Sequence, residues 1–368
     1  MKLRASYQKY NLKFKFDAGT SRGVLKDKNT WFVKLYHPEN PEVFGFGEAG
    51  PLKGLSVDDR PDFETQLSTI CQLINEGQPL PSINFNEFPS IAFALETALA
   101  DLENGGKKTI VDTSFSQGKE GIPINGLIWM GAEEFMAEQL KDKLAQGYAC
   151  IKIKIGAIDF EAECRLLQFI RSQYSAREME IRVDANGAFD PDDALKKLDR
   201  LAVYDLHSIE QPIKQGQFEK MHEVCKHSPV PVALDEELIG MAGREEEVLD
   251  RIRPQFIILK PTLLGGMQAS ETWISCAEKF GIGWWITSAL ESNIGLNAIA
   301  QFTSQFNVEM PQGLGTGQLY HNNIPSPLVI QTGKLLYKAN HMWDVGFLKK
   351  GWCCDEVHVD NRSEQRDR

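Results

Sequence analysis

The sequence predicts an α/β fold: a (β/α)8-type barrel, in effect a modified TIM barrel, preceded by an α+β capping domain that the C-terminal tail completes. Three observations predict it. From residue 122 to residue 317, eight short apolar runs alternate with charged amphipathic segments. Charged residues recur at equivalent places in five consecutive runs, and a stretch with different patterning comes first. At 368 residues the chain exceeds the roughly 250 at which a single hydrophobic core stops growing, so a barrel with an added domain is expected.

The capping domain is assigned to 1–110. Within it, 12–16 (LKFKF) and 30–36 alternate with period two, as half-buried strands do, and two amphipathic stretches near 61–76 and 88–104 read as helices. The barrel is assigned to 111–320. Its strand candidates are 122–128, 149–155, 179–185, 207–213, 230–236, 256–262, 283–289 and a weaker 313–317. Eight parallel strands close a barrel. Between them Asp190 before Pro191 reads as a helix cap followed by the first helical position. The segment 321–368 should return to the capping domain, carrying a two-strand piece at 328–337 that turns at Gly333. The final 360–368 carry too little apolar surface to fold.

A net charge of -11 without a long basic run argues against a nucleic-acid surface. No 18-residue apolar stretch is present, so no membrane partner is expected. The N-terminus lacks a signal-peptide pattern, and seven cysteines without a C-x-x-C pair read as reduced thiols, which together point to the cytoplasm. A small-molecule partner is expected, and oligomeric state is left open. Gly45 to Gly50 fit G-x-G-x-x-G, but Pro51 follows where a long helix should open, so dinucleotide binding is rejected. Asn361-Arg362-Ser363 matches a glycosylation acceptor by chance.

The five recurrent charges are Lys154, Asp184, Glu210, Asp235 and Lys260, at intervals of 30, 26, 25 and 25 residues. Each interval is about one β-α unit, and equivalent strand ends converge on one face of a barrel. Any one carboxylate alone reads equally well as a helix cap. Five in succession would each lose hydration at a barrel rim unless they pair or hold a metal. Three hard oxygen ligands without nearby His or Cys point to Mg2+, with Mn2+ as the alternative. Lys152 and Lys154 project to the same face of one strand, so Lys152 is expected to lower the pKa of Lys154, a candidate base. Lys260 approaches from the far side, as a second base or a fixed cation. Removing a proton α to a carboxylate creates an ene-diolate, whose charge such cations stabilise. A small-molecule carboxylate is therefore the expected substrate.

With KIK at 152–154, DANG at 184–187, EQP at 210–212, DE at 235–236 and KP at 260–261, the chain resembles the enolase superfamily and its muconate-lactonizing subgroup. A lysine base beside Mg2+ is the established pattern of that superfamily. The resemblance implies that Asp184, Glu210 and Asp235 hold the metal, that Lys154 removes the α proton and then assists departure of a hydroxyl, and that Lys260 stabilises the ene-diolate. Segments 45–56, 125–129, 287–296 and 313–319 resemble a branch of the subgroup that dehydrates a hydroxylated cyclohexadiene carboxylate. Asn186, Ser288, Leu314, Gly315 and Arg22 are the implied substrate contacts. Arg22 and 45–56 resemble loops that close over such sites. Racemases, dipeptide epimerases and cycloisomerases of the same superfamily are the alternatives. An epimerase should carry Asp-x-Asp where this chain reads Gly-Leu-Gly-Thr-Gly at 313–317.

Overall fold

The computed structural model describes residues 2–20, 23–129, 132–156, 159–348 and 351–354. Arg22, the acceptor-like 361–363 and the tail 360–368 lie outside the described residues.

The capping domain begins with an antiparallel meander of β1 (Arg4–Thr20), β2 (Gly23–His37) and β3 (Asn40–Ala49). Two helices cover it, α1 (Phe63–Asn75) and α2 (Pro89–Glu103), close to their expected bounds. The alternation along β2 turns Trp31, Val33 and Leu35 onto a core shared with Phe63, Leu67, Ile91 and Ala98 of the helices. The G-x-G motif finds its use here. A Cβ at Gly45 would lie 1.9 Å from the Ala98 carbonyl oxygen, and one at Gly47 would lie 1.8 Å from that of Ala94. The two glycines let α2 lie directly on the sheet, and they belong to β3, not to the loop expected over 45–56.

The barrel follows: β4 (Ile122–Pro123), β5 (Gly126–Ile128), α3 (Glu133–Ala145), β6 (Cys150–Lys154), α4 (Phe160–Gln173), β7 (Glu180–Asp184), α5 (Ala194–Leu201), β8 (Ser208–Glu210) and α6 (Phe218–His227). It continues with β9 (Val232–Leu234), α7 (Glu245–Ile252), β10 (Phe256–Leu259), α8 (Pro261–Leu264), α9 (Met267–Phe280), β11 (Gly283–Ile286) and α10 (Asn293–Thr303). Seven strands, β5 to β11, form one parallel sheet in sequential order. Ile151, Ile153, Val183, Ile209 and Leu259 face outward into the main core beneath the helices, while the alternate positions face the barrel interior.

Three sequence expectations are corrected. The run 122–128 is not one strand; Ile122 pairs instead with Leu335 of a C-terminal hairpin made by β12 (Leu328–Gln331) and β13 (Lys334–Tyr337). The eighth strand contracts to two bridge residues. Gln312 bridges Ile124 and Gly313 bridges Thr287, with backbone bonds from Gly313 N to Ile286 O (2.8 Å) and from Asn125 N to Gln312 O (3.0 Å) stitching the curled sheet shut. Helix α5 starts at Ala194, because Asp190 accepts from the Asp192 amide and makes a turn in place of a helix cap. Further along, the chain runs back beside β1: His321 N donates to Lys13 O (2.9 Å), and Tyr7 and Cys353 exchange backbone hydrogen bonds.

Glu48 joins the two layers. Its carboxylate, buried in β3, accepts from the amides of Ser292 and Gly295 at the start of α10 and from the hydroxyls of Ser292 and Thr30. The donors at the start of that helix thus find their acceptor in the capping domain.

Candidate active site

The parallel register sets the site. Lys154 lies opposite Asp184, and Asp184 opposite Glu210, so consecutive strand ends present charge at one level. Asp235 directly follows β9, and Lys260 directly follows β10. The two lysine-bearing strands therefore flank the three that carry the carboxylates. A cavity of about 660 Å3 opens above this row, roofed by 23–27 and 52–55 of the capping domain.

Lys152, Lys154, Asp184, Asn186, Lys260, Ser288 and Gly315 line this cavity. Glu210 and Asp235 do not line it, but both are buried just behind the lysines. Leu314 does not line the cavity: its side chain is fully buried in the main core. Thr316 lines the cavity in its place and donates to the Ser288 hydroxyl at 2.7 Å.

The ion pairs are specific. Asp184 Oδ2 takes both Lys152 Nζ (2.8 Å) and Lys154 Nζ (2.9 Å), Lys152 also binds Glu210, and Lys260 binds Asp235. This corrects the expected Lys152–Lys154 relationship. An anion stands between the two ammoniums, so Lys152 serves the carboxylates more directly than it presses on Lys154. Burial works against the Lys152 charge, but Asp184 and Glu210 outweigh it and raise its pKa above the ordinary lysine value. Lys260 is raised in the same way, by Asp235 and Glu210 against burial. Burial disfavours the Asp184 charge as well, yet the two lysines hold it far below the carboxylate range. Glu210 goes the other way: burial and the neighbouring Asp184 push it well up, against Lys152.

Asn186 adopts a left-handed backbone (φ 44°) with its amide on Asp184 Oδ1. Its side chain accepts from Lys154 Nζ at 2.8 Å and donates to Glu236 at 3.0 Å. Lys154 is thus held by two oxygens, Asp184 Oδ2 and Asn186 Oδ1. Glu236, the second letter of the DE pair, is a site residue that the strand-end rule passes over.

Among the described residues, no three acid, histidine or cysteine side chains stand at metal-ligand spacing, and lysine ammoniums bridge the carboxylates. The donor set nevertheless suits a hard divalent ion. Three adjoining carboxylates are buried together, and Glu210 Oε1 is buried without a hydrogen-bond partner. Gly313 closes the seam by close packing. A Cβ there would lie 2.1 Å from Thr287 Oγ1 and 2.8 Å from Thr287 Cβ.

A barrel with a capping domain, carboxylates on three adjoining strands and a lysine on each flank defines a class, and the chain belongs to the enolase superfamily: the family model described as Enolase C-terminal domain-like matches residues 135–340. Within that class, the chain is 46% identical over 365 residues to the o-succinylbenzoate synthase of Desulfotalea psychrophila, an alignment covering 90% of this chain and 98% of its relative. The crystal structure of MenC from Desulfotalea psychrophila superposes with a TM-score of 0.81 at 43% identity, covering 91% of this chain and 99% of that one. The muconate lactonizing enzyme from Pseudomonas fluorescens, complexed with muconolactone, shares the fold at a TM-score of 0.76 and 19% identity, covering 93% of this chain and 96% of that one.

Proposed function

We propose that this chain is an o-succinylbenzoate synthase, a lyase that dehydrates 2-succinyl-6-hydroxy-2,4-cyclohexadiene-1-carboxylate to o-succinylbenzoate. It would serve menaquinone biosynthesis in the cytoplasm; no helix among the described residues is long and apolar enough to cross a membrane. The observation that carries the reading is the placing of Lys154 and Lys260 on one cavity, with the three carboxylate strands between them, in a chain 46% identical to a synthase along almost its whole length.

Asp184, Glu210 and Asp235 would hold Mg2+, with Mn2+ the alternative. When bound, the ion supplies positive charge to the substrate carboxylate and so acidifies the adjacent C–H. Lys154, as the free amine, takes the proton from the ring carbon bearing the carboxylate, and the C–H electrons pass into an ene-diolate. Lys260, held cationic by Asp235, stabilises that charge where it develops. Lys154, now the ammonium, then gives its proton to the departing hydroxyl on the same face. The C–O bond breaks, water leaves, the ring becomes aromatic and the amine is restored. Asn186 orients Lys154 through its 2.8 Å contact. Ser288 and Gly315 would contact substrate on the β11 side of the cavity.

The purified protein with Mg2+ should convert the cyclohexadiene to the aromatic product, followed by absorbance, and should not act at comparable rate on dipeptides or N-acylamino acids. Lys154→Ala should lower kcat by about 10²- to 10⁴-fold while retaining Mg2+ binding by calorimetry. Fast epimerisation without dehydration, or near-full activity of Lys154→Ala, would refute the reading.

A further inference from the structure

Among the described residues, six lysines line the cavity: Lys26, Lys53, Lys143, Lys152, Lys154 and Lys260. Lys152, Lys154 and Lys260 each bind a carboxylate. Lys26, at the start of β2 and 3.9 Å from Asp17, and Lys53 are both exposed. Lys143, in the last turn of α3, differs from all of these. It is half-buried, its ammonium lies 5.2 Å from the centre of the Tyr148 ring, and it forms no ion pair or hydrogen bond with a described residue.

The path of this side chain is built into the strand beside it. A Cβ at Gly126 would lie 3.2 Å from both Cγ and Cδ of Lys143, so the glycine leaves the space through which the lysine stem crosses β5. The cavity wall there is completed by Asn125, Leu127 and Tyr148. A partly desolvated cation is costly: burial draws its ammonium below the usual lysine value, against the charge of Asp142 beside it in the chain. An anion arriving with the ligand would offset that cost.

We propose that Lys143, with the Tyr148 ring and Asn125 beside it, forms a second anion subsite that receives the terminal carboxylate of the substrate's succinyl chain. The proposal rests on the synthase reading. That substrate carries two carboxylates, and the one on the ring must stand beside Lys154 and Lys260, because the proton removed is α to it. The other is separated from the ring by a ketone and two methylenes, so it needs a cation set apart from the reacting pair. Lys143 is the half-buried lysine of this cavity that forms no salt bridge with a carboxylate among the described residues.

The test compares the full-length protein and its Lys143→Met and Lys143→Arg variants, all loaded with Mg2+; methionine keeps the stem over Gly126 and removes the charge. Calorimetry measures binding of o-succinylbenzoate and of 2-butyrylbenzoate, in which a methyl group replaces the terminal carboxylate. Wild type should prefer the diacid by about 10- to 100-fold, the range expected for one charge-assisted contact. Lys143→Met should lose that preference through weaker diacid binding alone, and Lys143→Arg should recover part of it. For the cyclohexadiene substrate, KM should rise by a similar factor in Lys143→Met with kcat within about threefold. An unchanged diacid preference or an unchanged KM in Lys143→Met overturns the subsite. Failure of wild type to dehydrate the cyclohexadiene would instead overturn the synthase reading, and the binding comparison would still decide the role of Lys143.

Discussion

Replacing Glu48 with alanine should cost about 4 kcal/mol of stability and loosen the wall of the active site. The carboxylate is fully buried and accepts four hydrogen bonds: 2.9 Å from Thr30 Oγ1, 2.9 Å from Ser292 N, 2.9 Å from Gly295 N and 2.5 Å from Ser292 Oγ. Truncation leaves two amides at the start of α10 without their acceptor, at about 1–3 kcal/mol each. It also removes one of the carboxylates that, after Glu291, oppose the burial which draws Lys28 below the usual lysine value; the buried Lys28 Nζ has no hydrogen-bond partner. Breaking a buried charge arrangement costs about 3–5 kcal/mol. The two accounts overlap and are not summed. Urea unfolding followed by tryptophan fluorescence measures the loss, with Glu48→Gln as the shape-matched control, expected at about half of it. Ser288 to Leu290, immediately before α10, line the cavity, so KM should rise in the alanine variant even where it is fully folded. A Glu48→Ala protein within about 1 kcal/mol of wild type would refute the claim that the capping domain supplies the cap of α10.

Two further outcomes follow from buried groups elsewhere. Burial pushes the Asp58 carboxyl from 3.8 up to about 6, against hydrogen bonds from Ser90. A raised carboxylate contributes stability that is complete below about pH 4 and lost as pH rises through about 6, and a two-unit shift corresponds to about 3 kcal/mol. Asp58→Asn should therefore be the more stable protein at pH 7.5, and denaturant midpoints in the two proteins should converge near pH 4; parallel pH profiles would disprove it. Gly313→Ala should destabilise by about 1–3 kcal/mol, because its methyl meets Thr287 at the seam that closes the barrel. Wild-type thermal stability in that variant would show the seam to be looser than described.

How much of this was legible depended on which atoms do the work. The strand-end charges were visible because each β-α unit takes a similar length of chain, so Lys154, Asp184, Glu210, Asp235 and Lys260 recur at near-equal intervals. The closing seam left no comparable trace. Gln312 and Gly313 act through backbone hydrogen bonds and through the absence of a side chain, neither of which produces hydrophobic periodicity. Leu314 was an implied contact, and its side chain lies in the main core while Gly315 and Thr316 beside it line the cavity.

The pairing of charges was hidden for a different reason. Spacing can place Lys152 and Lys154 on one face of a strand, but which group each amine meets depends on the neighbouring strand, and the register brings Asp184 to both. The like-charge pressure expected between the lysines is thereby intercepted by a carboxylate, and Lys152 becomes part of what keeps Asp184 ionised. Glu48 was concealed more completely, since it sits inside a glycine pattern that fits, and fails, the dinucleotide-binding motif. There Gly45 and Gly47 admit a helix to the sheet, and the acid that follows them reaches across to the start of a barrel helix. In both cases the residue types were readable from the sequence, and their roles were set by the partner that the fold brings to them.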